Sequence, residues 1–235
     1  DIEKMRAIVR EGMTDGAFGL STGLFYVPGT FTPTAEVVEL AKVAGSLGGI
    51  HISHMREETT KVVDSVRETI EIGEQGGLPT QVTHHKIIGK ASWGRTVDTL
   101  RLIDEARARG VDATIDQYPY TASATAIGSA LLPSWALEGG REATLKRIQD
   151  AGSRADILAE TIALLRDARG GGDPQNVQLS GCPWNPSLEG KRLGDVTKGR
   201  GLEPTLRNAA ETVLWIVEQG NCGGIYHAID EQDLQ

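Results

Sequence analysis

Four short apolar runs recur roughly every thirty residues, each followed by a loop and a segment with the 3.6-residue period of a helix. This rhythm constrains the fold more than any other feature of the chain. The runs are Gly16 to Tyr26, Ile50 to His54, about Thr80 to His85, and Val111 to Asp116. Between them lie the stripes Val37, Leu40, Ala41, Ala44 and Leu47, then Val62, Val63, Val66 and Ile70, then Val97, Leu100 and Ile103. Thr32 and Pro33 offer a cap and a first helical turn, and Gly48-Gly49, Gly76-Gly77 and Gly110 offer stops. Strands separated by helices pair in parallel, and right-handed crossovers then permit a doubly wound sheet or a (β/α)₈ barrel.

The rhythm breaks between about 123 and 200, where helical patterns near 142–149 and 155–168, a short strand near 176–180 and a turn-rich stretch intervene. A helix near 204–218 and a strand at 224–229 then resume it. About six strands are legible where a closed barrel holds eight. The expected fold is therefore α/β, a TIM-like (β/α)₈ barrel present as an incomplete barrel truncated at both ends. Residues 1–235 form one domain in this reading, with an irregular elaboration at about 123–200. The opening residues carry an amphipathic stripe of Ile2, Met5, Ile8 and Val9 without an initiator Met, as expected for the middle of a longer protein.

The net charge of −8 and the absence of a dense basic run disfavour nucleic acid and anionic membranes as partners. No apolar run is long enough to span a bilayer, and no signal peptide opens the chain. Cys182 and Cys222 are too few for a disulfide framework and lack the spacing of a structural zinc site. A cytoplasmic, reducing location is expected.

The strand ends carry the candidate chemistry: Tyr26, His54, His84, His85, Lys86, Asp116 and Tyr118. A lone histidine there is commonly a hydrogen-bonded loop residue. Two at matching points of adjacent repeats, among only five in the chain, point to one shared site. Neutral imidazole is the commonest protein ligand for zinc-like metals, and TIM barrels place their chemistry at the C-terminal ends of strands. Dinucleotide, P-loop and nucleophile-elbow signatures are absent. His51 lies on the opposite strand face from His54, and His227 has no evident partner, so both read as structural. Arg56, Glu57 and Glu58 read as a loop-orienting group or a solvated charge cluster.

Four segments, GLSTGLFYVPG (Gly19–Gly29), SHMREE (Ser53–Glu58), THHKIIGKASWGR (Thr83–Arg95) and IDQYPYTASAT (Ile115–Thr125), resemble in order and spacing the N-acyl-D-amino-acid deacylases, or D-aminoacylases, of the amidohydrolase superfamily. The likeness is strongest from Gly16 to Thr125 and returns near Gly224. It implies a metal-dependent barrel hydrolase that releases a D-amino acid and a carboxylate from an N-acyl-D-amino acid, with one or two zinc ions. On this resemblance His54 and His84 are zinc ligands, and Lys86, Tyr26 and Tyr118 bind the substrate carboxylate. Strand alternation leaves His84 and His85 open, since they face opposite ways; the resemblance and an equal register with His54 select His84.

The family's first-strand His-x-His and bridging cysteine have no counterpart in these residues, and its catalytic Asp is expected beyond Gln235. Asp116 is then a turn or supporting residue. Ala124-Thr125 stands where many relatives have Ser-Thr. Two other readings remain open: a dihydroorotase- or hydantoinase-like cyclic-amide hydrolase, and a barrel fragment that binds a small acid without catalysis. Oligomeric state is not legible.

Overall fold

In the computed structural model, which describes all 235 residues, the regularly spaced apolar runs form a four-stranded parallel sheet in the order β1-β2-β3-β4. The strands are β1 (Gly19–Gly23), β2 (Ile50–His54), β3 (Thr80–Val82) and β4 (Ala113–Ile115). Helix α1 (Ile2–Thr14) precedes them, and α2 (Thr34–Ser46), α3 (Val62–Gly76) and α4 (Thr96–Ala108) connect them. Residues 1–87 and 94–119 make up this unit. Sequential order with a helix after each strand is the βα series that the periodicity predicts.

Helices α2 and α3 bury most of the stripes read from sequence, but α4 does not: only Ile103 of its stripe is buried, with Thr99 and Ala106 beside it, while Val97 and Leu100 are exposed. Val62, Val63, Val66 and Ile70 of α3 pack with Val82, Ile103 and Ala113 in one apolar cluster, while Val37, Val38, Ala41 and Ala44 of α2 pack with Leu24, Ile72 and Leu78 in another. Gly77 ends α3 with φ +67°, a left-handed conformation that glycine adopts without a Cβ penalty. Helix α2 starts one residue later than its sequence signal, with Pro33 rather than Thr32 at the cap. At Gly19 a Cβ would lie 2.0 Å from the carbonyl oxygen of Ile50, so the close pairing of β1 with β2 requires glycine there.

The second unit comprises residues 88–93 and 120–235. Its three-stranded antiparallel sheet has the order β5 (Ser123–Ala126), β7 (Gly223–Tyr226), β6 (Val177–Ser180). Helices α5 (Ile127–Leu131), α6 (Ser134–Leu137), α7 (Gly140–Gln149), α8 (Ala151–Asp167), α9 (Leu193–Gly199) and α10 (Leu206–Gln219) accompany it. The caps are local: Asp150 accepts from the Ser153 amide at 2.9 Å and Thr205 from that of Asn208 at 3.2 Å.

The strand at Gly223–Tyr226 does not resume the parallel series, contrary to the sequence expectation; it is the middle strand of this antiparallel sheet. Its partner β5 reads Ser-Ala-Thr-Ala, small residues with no apolar alternation, which hides the strand from a periodicity reading. Cys182 and Cys222 form a disulfide with a Cα separation of 4.6 Å. Composition excludes a framework of bridges but not this single one. No helix is long and apolar enough to cross a membrane.

Candidate metal centre

His54 is the last residue of β2, and its carbonyl accepts from the Leu24 amide at 3.0 Å, which extends the ladder toward the loop carrying Tyr26. Strict register does not place His84 beside it. Ser53 pairs with Val82, and the Thr83 amide donates to the Ser53 carbonyl at 3.0 Å, so Thr83 stands level with His54. The two histidines meet because β3 ends at Val82 and residue 84 takes φ +43°, in the left-handed region. Histidine is among the non-glycine residues that enter this region more readily, at some local strain.

Asp116 supports that turn. Its carboxylate accepts from the backbone amide of His84 and from the side-chain amide of Gln81, and its main-chain carbonyl accepts from the His85 amide at 2.8 Å. The turn role expected of Asp116 is thus the one its hydrogen bonds show. The same turn separates the adjacent histidines. His85 is buried, with its Nε2 2.8 Å from the hydroxyl of Thr99 on α4, whereas the ring centroid of His84 lies 4.5 Å from that of His54.

Glu58 completes the group, and sequence reasoning missed it. Its carboxylate is 1% exposed and lies 3.9 Å from His54 Nε2 and 3.5 Å from His84 Nδ1. One ligand atom from each of His54, Glu58 and His84 falls within 4.8 Å of the others. Two imidazoles and a carboxylate at this spacing form a nitrogen and oxygen donor set of the kind that suits zinc-like cations. Adjacent Glu57 looks identical in sequence but accepts from the amides of Thr59 and Lys61 at 2.8 and 2.7 Å, at the approach to α3. Nothing in the sequence separates the two glutamates except the buried lysine that one of them meets.

That lysine is Lys86, whose side chain is 3% exposed. Its ammonium donates to Glu58 Oε1 and to the carbonyl of His84 at 2.8 Å, and it stands 2.7 Å from His84 Nδ1. Its Nζ also lies 5.6 Å from the centroid of the Tyr118 ring. The Tyr26 ring is 4.8 Å from that of His54, and the Tyr118 ring is 6.4 Å from that of His84. All five residues predicted for the site therefore converge.

Arg56 points away from the cluster into a structural fork. Its guanidinium donates to Glu68 at 2.6 and 2.9 Å and to the carbonyls of Thr30 and Thr32 at 2.8 and 2.9 Å. His51 is fully buried, and burial pushes its pKa down to about 4 against a weaker upward pull from Glu68. His227 is exposed in the second unit, and its backbone amide donates to the Asn176 carbonyl at 2.9 Å.

No family model matches the chain. Among curated proteins it is 39% identical to the D-aminoacylase of Alcaligenes xylosoxydans xylosoxydans over 235 residues, covering 100% of this chain and 39% of that protein. It is 42% identical over 121 residues to the N-acyl-D-glutamate deacylase of the same organism, covering 52% of this chain and 25% of that one. Among solved structures, the N-acyl-D-glutamate deacylase of Bordetella bronchiseptica, complexed with zinc and a phosphonate inhibitor, matches 99% of this chain and 39% of its own. The TM-score is 0.73 and the identity 28%. A D-aminoacylase described as defining a novel subset of amidohydrolases gives 0.72 at 28% identity, again over 99% and 39% of the two chains.

A parallel α/β sheet with histidines gathered at its strand ends, matched along nearly its whole length to these structures, places the chain among the amidohydrolases. Within them its sequence is similar to D-aminoacylases and N-acyl-D-amino-acid deacylases, the resemblance that its four motifs carry. The chain spans about 39% of the length of the D-aminoacylase that it matches from end to end.

Proposed function

We propose that these residues form the metal-binding and carboxylate-binding part of a zinc-dependent N-acyl-D-amino-acid deacylase, which hydrolyses the amide bond to release a D-amino acid and a carboxylate. The observation that carries this reading is the convergence of His54 and His84, with ring centroids 4.5 Å apart, beside Lys86, Tyr26 and Tyr118. His54 and His84 would hold the ion. When bound, zinc supplies Lewis acidity toward the amide carbonyl and makes water a nucleophile near neutral pH.

The protein groups then divide the remaining work. Lys86 meets the substrate α-carboxylate with its ammonium, and the phenols of Tyr26 and Tyr118 add directional contacts on either side of the imidazoles. Holding the carboxylate at one fixed point and the scissile amide at another sets the side chain and the hydrogen of the α-carbon on opposite sides, so that a third contact, with the side chain, selects one enantiomer. Asp116 stays committed to the turn under His84 and takes no proton in this scheme.

The test uses the intact, zinc-loaded protein against paired N-acyl-D- and N-acyl-L-amino acids. Hydrolysis of the D-members with the L-members left intact is expected. Equal turnover of both enantiomers, turnover of cyclic amides only, or none at all would reject the assignment.

A further inference from the structure

The second unit holds a cleft of about 490 Å³, lined by Lys90, Arg166, Asp167, Gly171, Asp173 and Asn176 among others, all of them within that unit. A volume of this size accommodates a small molecule. Three pieces of chain build it. Gly89 seats the loop that carries Lys90 against the end of α8, where a Cβ would lie 2.7 Å from the carbonyl oxygen of Asp167, and the Gly89 amide donates to the Ala228 carbonyl at 2.9 Å. Helix α8 contributes Arg166 and Asp167 from its last turn. The turn at 173–176 closes through the Asn176 amide, which donates to the Asp173 carbonyl at 2.9 Å.

The hydrogen bonds already made show which polar atoms remain for a ligand. Arg166 commits Nε and Nη2 to the two oxygens of Asp167, at 2.8 and 2.6 Å, which neutralises that carboxylate and leaves Nη1 unengaged. The Lys90 ammonium stands 6.0 Å from the centroid of the Trp93 ring and has no acceptor in the protein. Asp173 accepts from the Gln175 amide through Oδ1 at 2.8 Å, so Oδ2 is open. Asn176 donates its side-chain amide to the carbonyls of Gly170 and Gly171 at 3.2 and 3.4 Å, which leaves its Oδ1 as an acceptor.

The cleft therefore offers cationic donors from Lys90 and Arg166 together with acceptors from Asp173 and Asn176. A molecule with one carboxylate and one ammonium satisfies both sets, whereas a simple anion meets the like charge of Asp173. We infer that this cleft is a second ligand site, selective for a free α-amino acid. On the proposed deacylase reading, that ligand is the released product. Hydrolysis turns a neutral amide nitrogen into the α-ammonium that Asp173 and Asn176 recognise, so the site separates product from substrate. The inference rests on that reading for the identity of the ligand as product, and on the cleft for the site itself.

The experiment measures binding of D-alanine to the intact, zinc-loaded protein by equilibrium dialysis, for wild type, Lys90→Met and Asp173→Asn. D-Lactate, which lacks the ammonium, and D-alaninamide, which lacks the carboxylate, serve as competitors. Each substitution should weaken D-alanine binding about tenfold or more, as expected for loss of one charge-assisted hydrogen bond. Neither competitor should displace D-alanine at equal concentration. Both side chains are exposed, so the variants should keep the unfolding midpoint, the zinc content and the initial rate of N-acyl-D-amino-acid hydrolysis of wild type.

Absence of D-alanine binding at about 10 mM overturns the inference, since no useful occupancy remains at such an affinity. Binding that survives both substitutions lies elsewhere, the metal centre included, and overturns it too, as does displacement by D-lactate. If D-alanine binds as expected and no N-acyl-D-amino acid is hydrolysed, the amino-acid site is upheld and the deacylase reading alone is overturned.

Discussion

The imidazole of His51 and the hydroxyl of Thr80 join β2 to β3 at 2.9 Å within the core of the parallel sheet. The Thr80 hydroxyl itself donates to the Thr69 carbonyl at 3.2 Å, so it accepts from His51 Nδ1–H, and the other ring nitrogen lies 3.0 Å from the Thr22 hydroxyl. Burial keeps the ring neutral, and its contacts tie β1, β2 and β3 to α3.

This arrangement makes stability sensitive to acid. Burial lowers the His51 pKa from 6.5 to about 4, so the unfolded chain binds the extra proton between those values and the folded one does not. The contribution is complete above pH 6.5 and is lost as pH falls toward 4, by about 3 kcal/mol at most. Urea unfolding of wild type and His51→Gln at pH 7 and pH 4.5 measures it. The wild type should lose stability more steeply than the variant, and parallel losses in the two proteins would refute the assignment.

The guanidinium of Arg56 holds the carbonyls of Thr30 and Thr32 against Glu68 of α3, and so anchors the segment just beyond Tyr26. Lysine cannot reproduce a planar fork with several donors at once. Arg56→Lys should lower unfolding stability by about 1–3 kcal/mol, the cost of leaving half-buried acceptors unpaired. Chemical denaturation measures the loss, and a midpoint and slope equal to those of wild type would show that the fork is dispensable.

The Cys182–Cys222 bridge closes a separation of 40 residues in the second unit. By loop-closure entropy a link of that length contributes roughly 2–4 kcal/mol. Thiol titration of the unfolded, unreduced chain should therefore find no free cysteine, and the double variant Cys182→Ala with Cys222→Ala should unfold at lower denaturant. Two titratable thiols before reduction would contradict the bridge.

How much of this was legible in sequence depended on whether a feature is periodic or singular. The parallel strands and their helices were legible because amphipathic stripes and glycine stops repeat. β5 was not, because Ser123-Ala-Thr-Ala126 carries no contrast between its faces. At the site, motif order named His54, His84, Lys86, Tyr26 and Tyr118, yet their assumed equal register was wrong by one residue. The left-handed turn at His84 makes up the difference, and local spacing does not encode a turn that depends on Asp116 from the next strand. Glu58 was hidden because burial of one glutamate in a pair is decided by a lysine 28 residues away.

The contrast between His84 and its neighbour gives the most direct test of the metal centre. His84 and His54 approach to 4.5 Å between ring centroids, while His85 is turned to Thr99 at 2.8 Å in the buried layer under α4. A ligand contributes to metal affinity and a packed histidine contributes to folding, so the two adjacent substitutions should fail in different ways. In the intact protein, His84→Ala and His54→Ala should each weaken zinc binding about a hundredfold or more by chelator competition while leaving the unfolding midpoint of the metal-free protein within about 1 kcal/mol of wild type. His85→Ala should instead lower that midpoint by about 1–3 kcal/mol through an emptied, buried hydrogen-bonding position, with zinc affinity retained. If His85→Ala is the variant that loses zinc, the turn at residue 84 has been assigned to the wrong histidine, and the geometry from which Lys86 and Glu58 take their roles goes with it.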